Sequence, residues 1–256
     1  MARKTERDRT RRVFSQTFLH DPGALDQVVR VARLSRTDLL LEVGAGDGRL
    51  TRALAAAAGR VVAYEVDPEL VAALVAPDNV VRRHQDFLTA RPPREPFAVV
   101  GNIPYALTAP IVRWCLGAPA LTSATLVTQL EYARKRTGDY GRWSRVTVET
   151  WPAFHWGLAG RIPRHKFRPV PRVDSGILRL ERRAVPLLPP ERLPAYRRLV
   201  DVGFGGAGGS LHASLRRHYP ARRVDAAFRA ARLDVSTVVG YVWPEQWLLL
   251  FRLLAG

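Results

Sequence analysis

A chain of 256 residues with one cysteine, Cys115, has no material for a disulfide framework. Its six histidines never fall at metal-ligand spacing, which excludes a structural zinc as well and leaves no metal site to expect. Lysine is nearly missing: of 40 basic residues only Lys4, Lys135 and Lys166 are lysines. Acid is short too, 23 residues against those 40, so the formal net charge is +17. Such an excess points to an extended polyanion, with nucleic acid ahead of an anionic membrane. Arginine is the forked, planar donor that grips phosphates and stacks on bases, although GC-biased codons also favour it. No apolar run reaches the ~18 residues of a membrane span. The basic start MARKTERDRTRR is followed by no apolar stretch of the kind that directs export, so a cytoplasmic location without membrane association is expected.

What is present alternates. Short apolar runs at DLLLEV, RVVAYEV, NVVRRH, FAVVGN and SATLVTQ are separated by helical segments such as LTRALAAAAG and PELVAALVA. That is the pattern of stacked strand-helix-strand units and a mostly parallel sheet. Before it, residues 1–14 form a basic arm, and Asp21 followed by Pro22 predicts a capped helix start with Phe18 available as a staple. After it, RVTVETWPAFHW (145–156) and VDSGILRLER (173–182) are expected as two more strands, the second lacking a crossover helix and so suited to an antiparallel closing position. Beyond PLLPP at 186–190 the pattern is helical to the end. The expected organisation is an arm (1–14), an α/β domain (15–183) and a small all-helical C-terminal domain (184–256).

Glu42 to Gly48, EVGAGDG, sit where the first strand hands over to a helix. Three glycines let backbone approach a ligand, and the helix N-terminus offers free N–H groups. The dinucleotide pattern would need glycine where Arg49 stands. With Glu42 preceding the turn and Asp47 inside it, the site is too acidic for a phosphorylated cofactor and suits a cationic one, such as S-adenosylmethionine. Glu65, about 20 residues on at the end of the second strand, is where a carboxylate accepts from ribose hydroxyls. Asp86, after the third strand, is positioned to accept from an adenine amine.

The fourth of these strands ends in Gly101, Asn102, Ile103, Pro104 and Tyr105. In an open α/β sheet the carboxyl ends of the strands face the ligand crevice. Asn102 brings a side-chain carbonyl, Pro104 biases Ile103 toward extended backbone, and Tyr105 brings a face on which a base can stack. The substrate these residues describe is a planar heterocycle with an exocyclic amine. Acceptors that hold the amine hydrogens favour a pyramidal nitrogen with its lone pair free, and charge developing on that nitrogen is stabilised by the tyrosine ring.

Taken in order, SQTFLHD (15–21), EVGAGDG, Glu65, QDFL (85–88), GNIPY and FRPVPRVDS (167–175) resemble the rRNA adenine dimethyltransferases. QLEYARKRTGDYGRWS and GFGGAGGSLHASLRR resemble, within them, the Erm branch of macrolide-lincosamide-streptogramin resistance methyltransferases. The resemblance implies a Rossmann-like, S-adenosylmethionine-dependent methyltransferase sheet and methylation of one adenosine in the peptidyl-transferase region of 23S rRNA, taken deproteinised or before assembly by a monomer. It places Gln16, Gly44, Glu65, Asp86 and Asn102 around the cofactor, with Phe18, Ala45, Gly46, Val66 and Phe87 beside them in the same motifs. It places Asn102, Ile103, Tyr105 and Phe167 around the flipped adenine. A housekeeping small-subunit rRNA dimethyltransferase is the alternative, differing in substrate and not in chemistry. A DNA adenine methyltransferase would need a larger recognition domain than the residues after the sheet provide.

For the RNA itself, Arg134, Lys135, Arg136 and Arg142 are interleaved with Tyr140 and Trp143, a mixture suited to neutralising backbone and stacking unpaired bases. Arg216 and Arg217, in LRRHYPARR, extend a second basic face beside the GGAGGS loop (205–210).

Overall fold

The computed structural model describes residues 17–206 and 210–255; the basic arm, Gln16 and the middle of the GGAGGS stretch lie outside them. The chain divides into two compact units. The first runs to Ala133 and includes Gly157–Glu181; the second combines Arg134–Trp156 with Arg182 onward. The division is therefore not a single cut after residue 183, because residues 134–156 belong with the C-terminal helices.

The first unit carries a seven-stranded sheet. Strands β2 (Leu39–Val43), β3 (Arg60–Glu65), β4 (Val80–His84), β5 (Phe97–Asn102) and β6 (Leu121–Gln129) coincide closely with the apolar runs read from the sequence. β7 (Phe154–Ile162) and β9 (Ser175–Arg182) complete it in the order β4-β3-β2-β5-β6-β9-β7. Neighbours from β4 through β6 are parallel, and β9 runs antiparallel to β6. Central strands are buried on both faces, so they read as continuous apolar runs: every residue of β2 is buried, including Glu42. A separate two-stranded ribbon pairs β1 (Phe18–Leu19) with β8 (Phe167–Arg168).

Helix α1 (Pro22–Ala32) begins as its sequence requires, with the Asp21 carboxylate accepting from Ala24 N at 2.9 Å and Pro22 in the first turn. The other Asp21 oxygen receives Lys166 Nζ at 2.7 Å, and this bond is the main reason its carboxyl is held below the usual range. One face of α1, with Ala24, Leu25, Val28 and Ala32, packs into a core shared with Leu40, Val100 and Ile177. Helices α2 (Arg49–Ala55), α3 (Pro68–Ala73) and α4 (Thr108–Gly117) follow β2, β3 and β5. Cys115 on α4 is fully buried, and burial pushes its thiol up to about 12.

Helix α5 (Leu130–Thr137) leads from the sheet into the second unit, where α6 (Arg145–Thr150), α7 (Leu193–Phe204), α8 (Leu211–Arg216), α9 (Ala221–Ala230) and α10 (Pro244–Leu254) gather. The expected strand at 145–156 is corrected: Arg145–Thr150 is a helix, and β7 starts only at Phe154. The alternating Val146, Val148 and Thr150 resemble a strand, but Ser144 caps the turn by accepting from Thr147 N, and the fully buried Val148 and Thr147 supply the packing. Tyr196 on α7 is buried and donates to Val148 O at 3.0 Å, fixing α6 in that unit's core.

Candidate active site

Because β2 lies between β3 on one side and β5 on the other, a crevice opens at the carboxyl ends of β2 and β5. A cavity of about 360 Å³ occupies it. Its wall takes Phe18 from β1, Gly44 to Asp47 after β2, Glu65 and Val66 after β3, Asp86 and Phe87 after β4, and Asn102 and Ile103 after β5. Of the expected cofactor residues, all that are described line one cavity.

The glycine turn is held from two sides. Gly44 N and Ala45 N both donate to Tyr64 O, at 2.9 and 3.0 Å. Gly46 N donates to Glu65 Oε2 at 2.9 Å, while Glu65 Oε1 accepts from Val66 N at 2.8 Å and Asp67 N at 3.0 Å. Glu65, only 5% exposed, thus joins the turns after β2 and β3, a task its position in the sequence did not reveal. At Gly46 φ is +54°, and a Cβ there would stand 2.9 Å from the Phe18 ring. Only glycine leaves that wall of the cavity in place. Phe18 accordingly belongs to the cavity wall.

Glu42 behaves differently from the other acids. It is fully buried, and neither carboxylate oxygen has a hydrogen-bond partner of ordinary geometry; the nearby Thr51 hydroxyl is likewise buried without one. Burial, opposed by Thr51 and reinforced by Glu65 and Asp47, pushes its carboxyl up to about 8. At neutral pH Glu42 is therefore mainly protonated, and the acids that line the cavity are Asp47, Glu65 and Asp86. Asp86 accepts from Leu88 N at 2.9 Å through Oδ1, capping the short turn Phe87–Thr89 while still lining the cavity. Phe87 beside it is braced by Trp114, with ring centres 4.3 Å apart.

At the end of β5, Asn102 Nδ2 donates to Thr17 O at 2.7 Å. One amide hydrogen is thereby used, which fixes the orientation of the group and leaves its carbonyl as an acceptor. Gly101 must be glycine for a different reason, since a Cβ there would stand 2.7 Å from Val43 O on the neighbouring strand. Ile103 lines the cavity and is 2% exposed. The Pro104 carbonyl accepts from Leu107 N at 2.9 Å, which closes the short turn Tyr105–Leu107. Tyr105 stands beside the cavity and not in its wall, and its hydroxyl shares a hydrogen of 2.8 Å reach with Ser175 Oγ on β9. Burial raises its phenol, with Ser175 opposing.

Two expected contact residues are placed otherwise. The Phe167 side chain is fully buried in the core with Leu19, Ile162 and Ile177, because β8 pairs inward against β1; it supports the wall carrying Leu19 and does not face the cavity. Trp143 is 8% exposed, packed on Trp151 and Trp243 with ring centres 5.5 and 5.4 Å away, so it is not an open stacking face. Arg142, Lys135, Arg216 and Arg217 are exposed; Arg134 and Arg136 are half-buried. Arg134 lies 2.7 Å from the Asp139 carboxylate, and Arg142 Nε donates to Tyr241 at 2.8 Å. Tyr241 and Trp243, just before α10, are exposed and were not singled out in the sequence.

Acids on three successive strand ends, glycines that clear the floor and, among the described residues, no cationic side chain in the wall suit a positively charged nucleoside, which puts the protein among S-adenosylmethionine-dependent methyltransferases. Comparison with known proteins narrows the class. The family described as ribosomal RNA adenine dimethylase matches residues 7–256, and the chain belongs to it. An rRNA adenine N-6-methyltransferase of Streptomyces fradiae is 60% identical over 252 residues, covering 96% of this chain and 79% of that relative. The mycinamicin-resistance protein MyrB of Micromonospora griseorubida is 38% identical, covering 95% of this chain and 78% of its own. The crystal structure of the 23S rRNA methyltransferase ErmE superposes with a TM-score of 0.90 at 51% identity, covering 93% of this chain and all of that one.

Proposed function

We propose that this rRNA adenine methyltransferase acts on the exocyclic amine of one adenosine in the peptidyl-transferase region of 23S rRNA, and that the modification gives macrolide-lincosamide-streptogramin B resistance. Asn102 carries the reading: with its amide oriented by the bond to Thr17 O, its carbonyl is available to accept a hydrogen of the substrate amine at the cavity's edge. S-adenosylmethionine, when bound, supplies an electrophilic methyl group. Glu65 and Asp86 are the residues to hold its ribose and adenine, and Phe18, Ala45, Val66 and Phe87 supply apolar contact. Asn102 then orients the target nitrogen so that its lone pair faces the methyl, and no strong base is needed because the proton leaves after transfer. Tyr105, oriented through Ser175, offers its ring beside the developing charge.

The target base must leave its stack to reach the cavity, which favours deproteinised or unassembled RNA over a finished subunit. The names of ErmE and MyrB support the large-subunit substrate and the resistance phenotype. A cytoplasmic monomer completes the proposal. The test is to express the protein in a host lacking such an enzyme and map methylated adenosines on both rRNAs. A new N6-methyladenosine at one 23S position, with raised macrolide tolerance, is expected; modification confined to the small-subunit rRNA would overturn it.

A further inference from the structure

Among the described residues three aromatic side chains are exposed: Tyr140, Tyr241 and Trp243, at 50%, 44% and 54%. All three lie in the second unit, on two loops tied together by Trp143 N donating to Gly240 O at 2.7 Å. Each tyrosine carries an arginine. The Arg142 guanidinium lies 4.9 Å from the Tyr241 ring centre, and that of Arg134 lies 5.2 Å from the Tyr140 ring while Nη1 donates to its hydroxyl at 3.0 Å. Trp243 is backed by the buried Trp143, and its backbone N–H is fixed by Gln246 Oε1 at 2.9 Å at the start of α10. The ring itself is not needed for that start, yet half of it is left in water.

We propose that Trp243, Tyr241 and Arg142 form a stacking platform for unpaired bases of the RNA substrate, with Tyr140 as its outer edge. The proposal rests on the rRNA reading above and adds the surface that grips RNA away from the cavity. A rigid ring offers a π-face to any base at little conformational cost, and a guanidinium beside it serves both the base and the adjoining phosphate. RNA is favoured over a protein partner because the basic last turn of α5, with Arg134, Lys135 and Arg136, leads directly into the loop that carries Tyr140 and Arg142.

Of the six tryptophans only Trp243 is exposed, so it supplies its own probe. Acrylamide quenching of tryptophan emission is measured with and without a deproteinised 23S fragment, alongside affinity for that fragment and for S-adenosylmethionine. The parent should lose its quenchable component on binding RNA. Trp243→Ala should weaken RNA binding by about tenfold, with Tyr241→Ala close behind, and Trp243→Phe should recover most of the loss. Trp243→Leu keeps apolar volume over Trp143 without an aromatic face, and should bind as poorly as Trp243→Ala even if the latter melts early. Cofactor affinity should be unchanged throughout. Parental RNA affinity in Trp243→Leu and Tyr241→Ala, from a protein that still methylates rRNA, would discard the platform and leave the function standing. A parent that neither binds nor methylates any rRNA fragment would remove both.

Discussion

The cavity of the first unit and the exposed loops of the second solve opposite electrostatic problems. Around the cavity the polar groups are carboxylates whose geometry is set by backbone N–H donors: Glu65 holds three and Asp86 one. On the loops the groups are arginines laid beside tyrosine rings. A chain of net charge +17 thus keeps an acid-lined pocket by confining it to strand ends, where no cationic side chain stands in the wall among the described residues. Separation of sign along one polypeptide lets a cationic small molecule and a polyanion be bound without competing.

The largest effect should come from salt. If the loops neutralise several phosphates, RNA affinity should drop by roughly a thousandfold between about 50 and 200 mM monovalent salt, while S-adenosylmethionine affinity barely moves. Parallel titrations by fluorescence and calorimetry make the measurement; equal slopes would erase the contrast.

Next is the one acid that does not share the pocket's charge. Glu42 has its carboxyl raised from 4.5 to about 8, so between those values the unfolded chain ionises while the folded one keeps its proton. Stability should therefore fall as pH rises through that window and level off above it, by on the order of a few kcal/mol in all. Glu42→Gln should lack this slope in denaturant unfolding series from pH 6 to 9, and should be the more stable protein at pH 8.

A smaller loss separates chemistry from binding. Asn102→Ala should cut single-turnover methyl transfer by on the order of a hundredfold while RNA affinity stays close to that of the parent, because the lost acceptor acts on the reacting amine. An equal fall in both would make Asn102 a structural tie to Thr17 and nothing more. Smallest is Asp86→Ala, expected to weaken cofactor binding by about 1 to 3 kcal/mol in calorimetry with RNA binding intact.

Much of this was legible in the sequence, because the informative signals were local. Apolar runs fixed β2 to β6 to within a residue or two, Asp21-Pro22 fixed the start of α1, and glycine spacing with two acids located the cavity. What failed depended on distant partners. The β-branched residues of 145–150 alternate as a strand would, and only packing in the helical unit makes them a helix. Trp143 sits in a polar, glycine-flanked stretch that looks exposed, but residues 240–243, a hundred positions on, cover it. Phe167 lies in a motif associated with base contact, yet the two-residue ribbon with β1 turns it inward. No periodicity of neighbours encodes such pairings.

The Glu65 bridge also bears on how this site can change over generations. Since one carboxylate fixes both the glycine turn after β2 and the turn after β3, the two halves of the cofactor pocket are not separate modules. A drift in either turn is handed to the other through a single side chain.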